Sequence, residues 1–278
     1  MLSSVFPAPI ITPITMLVAA LLTVSISACQ PSNSDTDGSS TAAWSCQTQD
    51  MPFTYSACQI DTAALNSKDH PYSLQLFWQQ PDGKQPLLTF DKLVNTLPKS
   101  QTLTFAMNAG MYNESYAPIG YTVIEGEEIL SLNLKEGGGN FHLLPNGVLW
   151  WDKAGNVQIT ESHALQQQLE QGTAQPWYAT QSGPMLVING AIHSKFNPDS
   201  TSAKFRNGAG VCTDGRIQFV NSNEPVTFYQ FASLFKDELH CPNALFLDGG
   251  IASALYAPSI DKQDKKNMGV IIGVVETK

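Results

Sequence analysis

The stretch Asn243 to Pro258, NALFLDGGIASALYAP, constrains this chain more than any other. Its run Ala244-Leu245-Phe246-Leu247 has the length and unbroken apolar character of a fully buried strand, and it stops at Asp248, Gly249 and Gly250. A carboxylate therefore sits at a strand end. The two glycines admit backbone conformations closed to other residues and leave amide N–H groups uncovered, which suits close approach by an anionic ligand. Asp-Gly is equally a common turn signal, so this stretch alone reads as either a turn or a site.

Residues 1–28 carry no charged side chain, and Ile10 to Ala28 is apolar and small, the composition of an export signal. Ile26-Ser27-Ala28-Cys29 resembles a bacterial lipobox, which implies cleavage before Cys29 and a lipid on that cysteine. Residues 29–43 (from Gln30, QPSNSDTDGSSTAA) are small, polar and aperiodic, as expected of a disordered tether, and the globular part begins at Trp44. Gln30 after the lipid cysteine leans toward an outer membrane, facing the periplasm. The formal net charge of -9 resides wholly beyond residue 28, and no basic run interrupts it. Nucleic acid is therefore not an expected partner.

Four cysteines follow Cys29, namely Cys46, Cys58, Cys212 and Cys241, an even number in an exported chain. Three pairings are possible. Cys46 with Cys58 is favoured because the two are close in sequence, which leaves Cys212 with Cys241. No CxxC or HExxH spacing is present, so neither a zinc cluster nor any other cofactor is called for, although Asp248 leaves room for a divalent cation.

Over 44–278 strand patterns dominate, at Tyr72–Gln79, Leu103–Met107, Ile119–Glu125, Glu128–Leu134, Ala179–Gly183, Pro184–Ile188, Ile217–Asn221 and Met268–Val275. Phe141–Leu144 and Val148–Trp151 flank Pro145-Asn146-Gly147, a strong hairpin signal, and the Trp150-Trp151 pair predicts one ring in the core and one at the surface. Helices are expected at Phe90–Leu97, Glu161–Gln171 and Thr227–Leu239. No repeat or linker divides the region, so a single domain and a monomer are expected.

Arginine usage gives the sharpest chemical clue. The chain has two, Arg206 and Arg216, and Arg206 lies in the long polar stretch Ile192 to Gly210. Lysine serves the surface elsewhere, whereas bidentate recognition of phosphate asks for a guanidinium fork. Arg216 follows Asp214-Gly215 and reads as solvated. His193, Glu136 and Asp214 are weaker candidates, since lone titratable groups in loops are usually solvated or locally hydrogen-bonded.

FAMNAGM (105–111), GNFHLLPNGV (139–148), ATQSGPMLVINGAIH (179–193), KFRNGAGV (204–211) and CPNALFLDGGIASALY (241–256) together resemble the phosphodiester glycosidase family. The resemblance implies an α+β fold: layered, largely antiparallel or mixed sheets with outer helices. It implies hydrolysis of a phosphodiester whose one ester oxygen belongs to a sugar's anomeric carbon, releasing the sugar and a phosphomonoester. Carried over by motif, it implies catalytic roles for Asp248, Arg206 and Asn108. Gly110, Ser182, Gly183, Gly249, Gly250 and Ser253 would bind the substrate, a phosphoglycan or sugar-1-phosphodiester. Asp248 has two open roles, base on water or nucleophile. The rival reading is a non-catalytic envelope lectin for anionic glycans.

Overall fold

The computed structural model describes residues 42–66 and 71–278. The expected export signal over 1–28, the lipid-bearing Cys29 and nearly all of the tether over 29–43 lie outside the described residues. Among the described residues no helix is long and apolar enough to cross a membrane.

Three sheets, antiparallel in every pairing, enclose one core. The first has seven strands in the order β1 (Trp44–Gln49), β2 (Tyr55–Asp61), β13 (Arg216–Ser222), β12 (Asn207–Val211), β14 (Asn243–Phe246), β10 (Met185–Ile188) and β11 (Ala191–Ile192). The second has five, in the order β16 (Lys262–Gln263), β15 (Leu255–Ala257), β4 (Gln101–Asn108), β17 (Ile271–Thr277) and β3 (Tyr72–Phe77). The third also has five: β6 (Glu127–Leu130), β5 (Thr122–Ile124), β9 (Tyr178–Ser182), β7 (Gly147–Trp151) and β8 (Val157–Glu161).

The two-residue alternation of strands explains how these sheets share an interior. Leu245 and Leu247 of the β14 run, Phe219 of β13, Phe105 and Met107 of β4, and Leu149 and Trp151 of β7 all enter one central cluster. Their neighbours point outward into three separate satellites. Ala244, Phe246 and Val220 pack beneath α4 (Phe228–Ser233), whose Phe231 fills the same cluster. Ala106 and Ile271 pack beneath α2 (Phe90–Thr96), and Val148 and Trp150 beneath α3 (Ser162–Glu170). Each sheet is thus covered on both faces, which is why the apolar runs of β14 and β7 are unbroken. This is the layered α+β fold with outer helices, in a single domain.

The helices start where side chains satisfy their first N–H groups. Thr227 and Gln230 form a reciprocal capping box on α4, at 3.1 and 2.9 Å. α4 is shorter than the Thr227–Leu239 pattern predicts, because the chain continues over Leu234–Glu238 as a wider turn closed by Leu239 N–H on the Leu234 carbonyl. Both expected disulfides form. Cys46 and Cys58 are directly opposed on β1 and β2, and Cys212 with Cys241 ties the end of β12 to the segment leading into β14.

Two local expectations fail. Pro145-Asn146-Gly147 is not a hairpin turn. Phe141–Leu144 is not a strand, and β7 pairs with β8 and β9 instead. The Asn146 amide, buried, donates to the Phe141 carbonyl at 3.0 Å, so its polarity serves a local loop rather than a chain reversal between strands. Nor does either tryptophan reach the surface. Trp150 and Trp151 are 4% and 3% exposed, and their indole N–H groups are satisfied by the Thr160 hydroxyl and the Leu74 carbonyl. A sheet covered on both faces buries both rings.

Candidate active site

The site is a corner at which all three sheets end. β14 stops at Phe246, and its extension meets the extension of β12 in register. Leu247 N–H donates to the Asn207 carbonyl at 3.1 Å, and Gly250 N–H to the Phe205 carbonyl at 2.8 Å. These two bonds zip the backbone around Asp248 to the backbone around Arg206. β4 arrives from the second sheet, where the Ala109 carbonyl accepts from Asp248 N–H at 3.3 Å. β9 arrives from the third, where the Thr180 hydroxyl accepts Gly110 N–H at 3.0 Å. A side chain at Gly110 would overlap the Gln181 carbonyl, so the second and third sheets meet here only through glycine.

Buried amides hold the corner. The Asn108 amide donates to the Asp248 carbonyl, while its Oδ1 accepts from Ala254 N–H at 2.9 Å and from the Asn207 amide at 2.6 Å. Asn221, at the end of β13, accepts the Ser253 hydroxyl at 3.0 Å. Asn207 and Asn221 were not singled out as candidates by the sequence. The available signal was an asparagine near the end of each strand, Asn207 at the start of β12 and Asn221 one residue before the end of β13. Asn108 and Ser253 are satisfied within this network, so they position the corner rather than reach from it. The Ser182 hydroxyl differs: it lies on the same face of β9 as Thr180, is fully buried, and has no protein partner. Gly183 follows it against Asn146.

Asp248 is the least satisfied member. Among the described residues no hydrogen bond or ion pair reaches its carboxyl oxygens, and burial alone pushes its pKa up to about 6. The Tyr112 phenol lies near enough to feel this charge. Its own pKa rises to about 12, first through burial and then through Asp248 and Tyr116. Gly250 turns the chain with φ +68°, a conformation only glycine adopts freely, and its N–H is spent on Phe205. Gly249 N–H has no acceptor among the described residues.

Arg206 lies beside this corner in a cavity of its own, of about 320 Å³, shared with Lys195, Lys204, Asn140, Phe228 and Tyr229. The side chain is 3% exposed. Its Nε donates to the Val226 carbonyl at 2.8 Å and its Nη2 to the Ser202 carbonyl at 3.2 Å, and the guanidinium lies 3.5 Å from the centre of the Phe228 ring. That ring stacks on Phe196, which stacks on His193. His193 is therefore a buried strut of the cavity wall. Among the described residues no carboxylate pairs with Arg206, and burial lowers its pKa to about 10. Arg206 and Asp248 are thus neighbours through their backbones but not an ion pair, and Asp248 does not line the arginine's cavity. Arg216, in contrast, is exposed and bridges Asp214 at 3.3 Å.

Among the described residues no three His, Cys, Asp or Glu side chains converge as a metal cage. In this corner the Asp248 carboxyl is the acidic group open to a cation.

The family profile for phosphodiester glycosidases matches residues 101–275, a span that contains every residue of this corner. The chain belongs to the phosphodiester glycosidase family. Its membership supports a glycosidase-type function. A relative in Escherichia coli strain K12, the uncharacterized protein YigE, is 34% identical over 181 residues, which cover 64% of this chain and 68% of that protein. Two solved structures share the fold at 14% identity. One is a hypothetical protein from Synechocystis, with TM-score 0.58 over 84% of this chain, and the match spans 62% of that longer chain. The other is the catalytic domain of zebrafish N-acetylglucosamine-1-phosphodiester alpha-N-acetylglucosaminidase, with TM-score 0.57 over 85% of this chain and 84% of that domain.

Proposed function

We propose that this phosphodiester glycosidase cleaves the glycosyl bond of a sugar-1-phosphodiester, with Asp248 as general base on the attacking water. The observation that carries this reading is a half-buried carboxyl at a strand end, with no hydrogen-bond or ion-pair partner among the described residues and a pKa of about 6. A base that titrates there is ionised at neutral pH and still takes a proton effectively. A phosphomonoester leaves as a stable anion, so little protonation of the leaving group is needed and a single carboxylate suffices.

The phosphate belongs at the cationic side of the corner. A buried guanidinium with no carboxylate partner among the described residues, flanked by Lys195 and Lys204, is a charge awaiting an anion. Gly249 N–H and the Ser182 hydroxyl are the unspent donors that complete the grip, while Asn108 and Ser253 are positioning residues. Were a divalent cation to bind, the Asp248 carboxyl would hold it, and it would supply positive charge to the phosphate. The zebrafish relative's name makes N-acetylglucosamine-1-phosphodiesters the first substrates to assay.

The same reading keeps the chain at the cell envelope, carried by a lipid on Cys29 and acting as a monomer on phosphoglycans. Two disulfides support an oxidising compartment. The test is hydrolysis of a panel of sugar-1-phosphodiesters by wild type, Asp248→Asn and Arg206→Ala, with product anomers resolved. Turnover lost in Asp248→Asn supports the assignment. Glycan binding without turnover across the panel would instead make the protein a lectin.

A further inference from the structure

Five large apolar side chains stand exposed among the described residues: Met51, Val94, Leu130, Phe205 and Ile251. Isolated cases need no explanation, but two of these five flank the same corner. Ile251 is 95% exposed and Phe205 46%. They sit on adjoining segments, because Gly250 N–H donates to the Phe205 carbonyl at 2.8 Å and Ile251 follows Gly250 directly. Asp248 lies three residues before Ile251, and Arg206 follows Phe205. Neither apolar side chain belongs to any of the core clusters. The turns at Asp152-Lys153-Ala154-Gly155 and Asp214-Gly215 carry no large apolar residue, whereas Met51, 78% exposed, stands alone in the turn between β1 and β2.

We infer that Phe205 and Ile251 are specificity determinants that contact an apolar alcohol on the far side of the phosphate. The preferred substrate class is then a sugar-1-phosphate esterified to a lipid-like alcohol. This rests on the phosphodiester reading above, and it assigns the one part of the substrate that the polar corner does not contact. The scissile step is unchanged: water adds to the anomeric carbon, its proton passes to Asp248, and the alkyl phosphate leaves. A linear acyl-type chain and a branched isoprenoid chain share this chemistry.

The test is calorimetric binding of methyl, octyl and geranyl phosphate to the full-length protein, below micellar concentrations. Each methylene drawn from water contributes roughly fourfold in affinity, so two in contact give octyl phosphate about a sixteenfold advantage over methyl phosphate. That ratio falls toward one in Phe205→Ser and Ile251→Ser, and persists in Val94→Ser, whose side chain is exposed elsewhere on α2. Both substitutions leave the Gly250 to Phe205 backbone bond in place. Tighter binding of geranyl than octyl phosphate assigns an isoprenoid, and the reverse a linear chain. Equal affinity for methyl and octyl phosphate, or a ratio that survives both substitutions, overturns the inference. So does a loss of phosphatidylglycerol vesicle binding in the two variants without change in the ratio, which would make the pair a membrane contact. Binding is read without turnover, so selective capture of octyl phosphate by a protein that hydrolyses no sugar phosphodiester would refute the catalytic reading separately.

Discussion

Arg206 and Asp248 sit on two backbone segments zipped together by hydrogen bonds, yet the protein treats their charges in opposite ways. The guanidinium is anchored by the Val226 and Ser202 carbonyls and stacked on Phe228. The carboxyl is desolvated and held by nothing, while only its backbone is fixed, by Asn108 and the Ala109 carbonyl. One region is built to present a fixed cation, and the other to let a proton come and go. Had the two formed an ion pair, each would have been neutralised by the other, and Asp248 would titrate below its ordinary range rather than above it.

The largest effect that would sharpen this contrast is on turnover. Asp248→Asn keeps the shape and removes the base, and a loss of about 10²- to 10⁴-fold in kcat is expected, read from product release with a sugar-1-phosphodiester. Arg206→Ala comes next, with kcat/KM lower by roughly 10²-fold and competitive inhibition by inorganic phosphate weakened in parallel. Arg206→Lys should recover only part of this, because an ammonium cannot reproduce the stacked fork on Phe228.

The third prediction separates the two regions by pH. The Asp248 pKa is raised from 3.8 to about 6 in the folded protein, so the native state binds this proton more tightly than the unfolded chain does. Stability from this group is therefore fully present below about pH 4 and is lost as pH rises to about 6. Asp248→Asn escapes that loss. It should be more stable than wild type by up to about 3 kcal/mol at pH 8 and nearly equal to it below pH 4, measured by urea denaturation. An inactive variant more stable than its parent would mark Asp248 as a group kept for chemistry.

The smallest expected effect concerns the shared scaffold. Asn207→Ala leaves Asn108 Oδ1 with one donor instead of two and should cost about 1 kcal/mol of stability. It should lower kcat more than it raises KM if Asn108 orients Asp248. An equal change in both parameters would mean that the amide network serves the fold alone.

Much of this corner was legible in the sequence because its cues are local. The β14 run, its stop at Asp248 and the helix start at Thr227 each depend on a few adjacent residues, and the scarcity of arginine is a plain count. The order of strands in the sheets was not legible, since β2 pairs with β13 across more than 150 positions and nothing local specifies that choice. Pro145-Asn146-Gly147 misled for the same reason: its turn chemistry is real, but the strand that β7 requires comes from β9. The roles of Asn108 and Ser253 could not be read either. Their side chains are consumed by Asn207, Asn221 and the Asp248 and Ala254 backbone, partners visible only once three sheets have converged. Burial on both faces of β7 likewise removed the surface ring expected of the tryptophan pair.

The pH dependence of kcat/KM reports the ionisation of the free protein's essential base, and so tests the assignment of Asp248 most directly. Activity should rise with pH to a half-maximum at about pH 6, the value set by burial of this carboxyl, and the residual activity of Asp248→Asn should lack that limb. A wild-type profile flat from pH 4 to 8, or the same limb persisting in Asp248→Asn, would contradict the account.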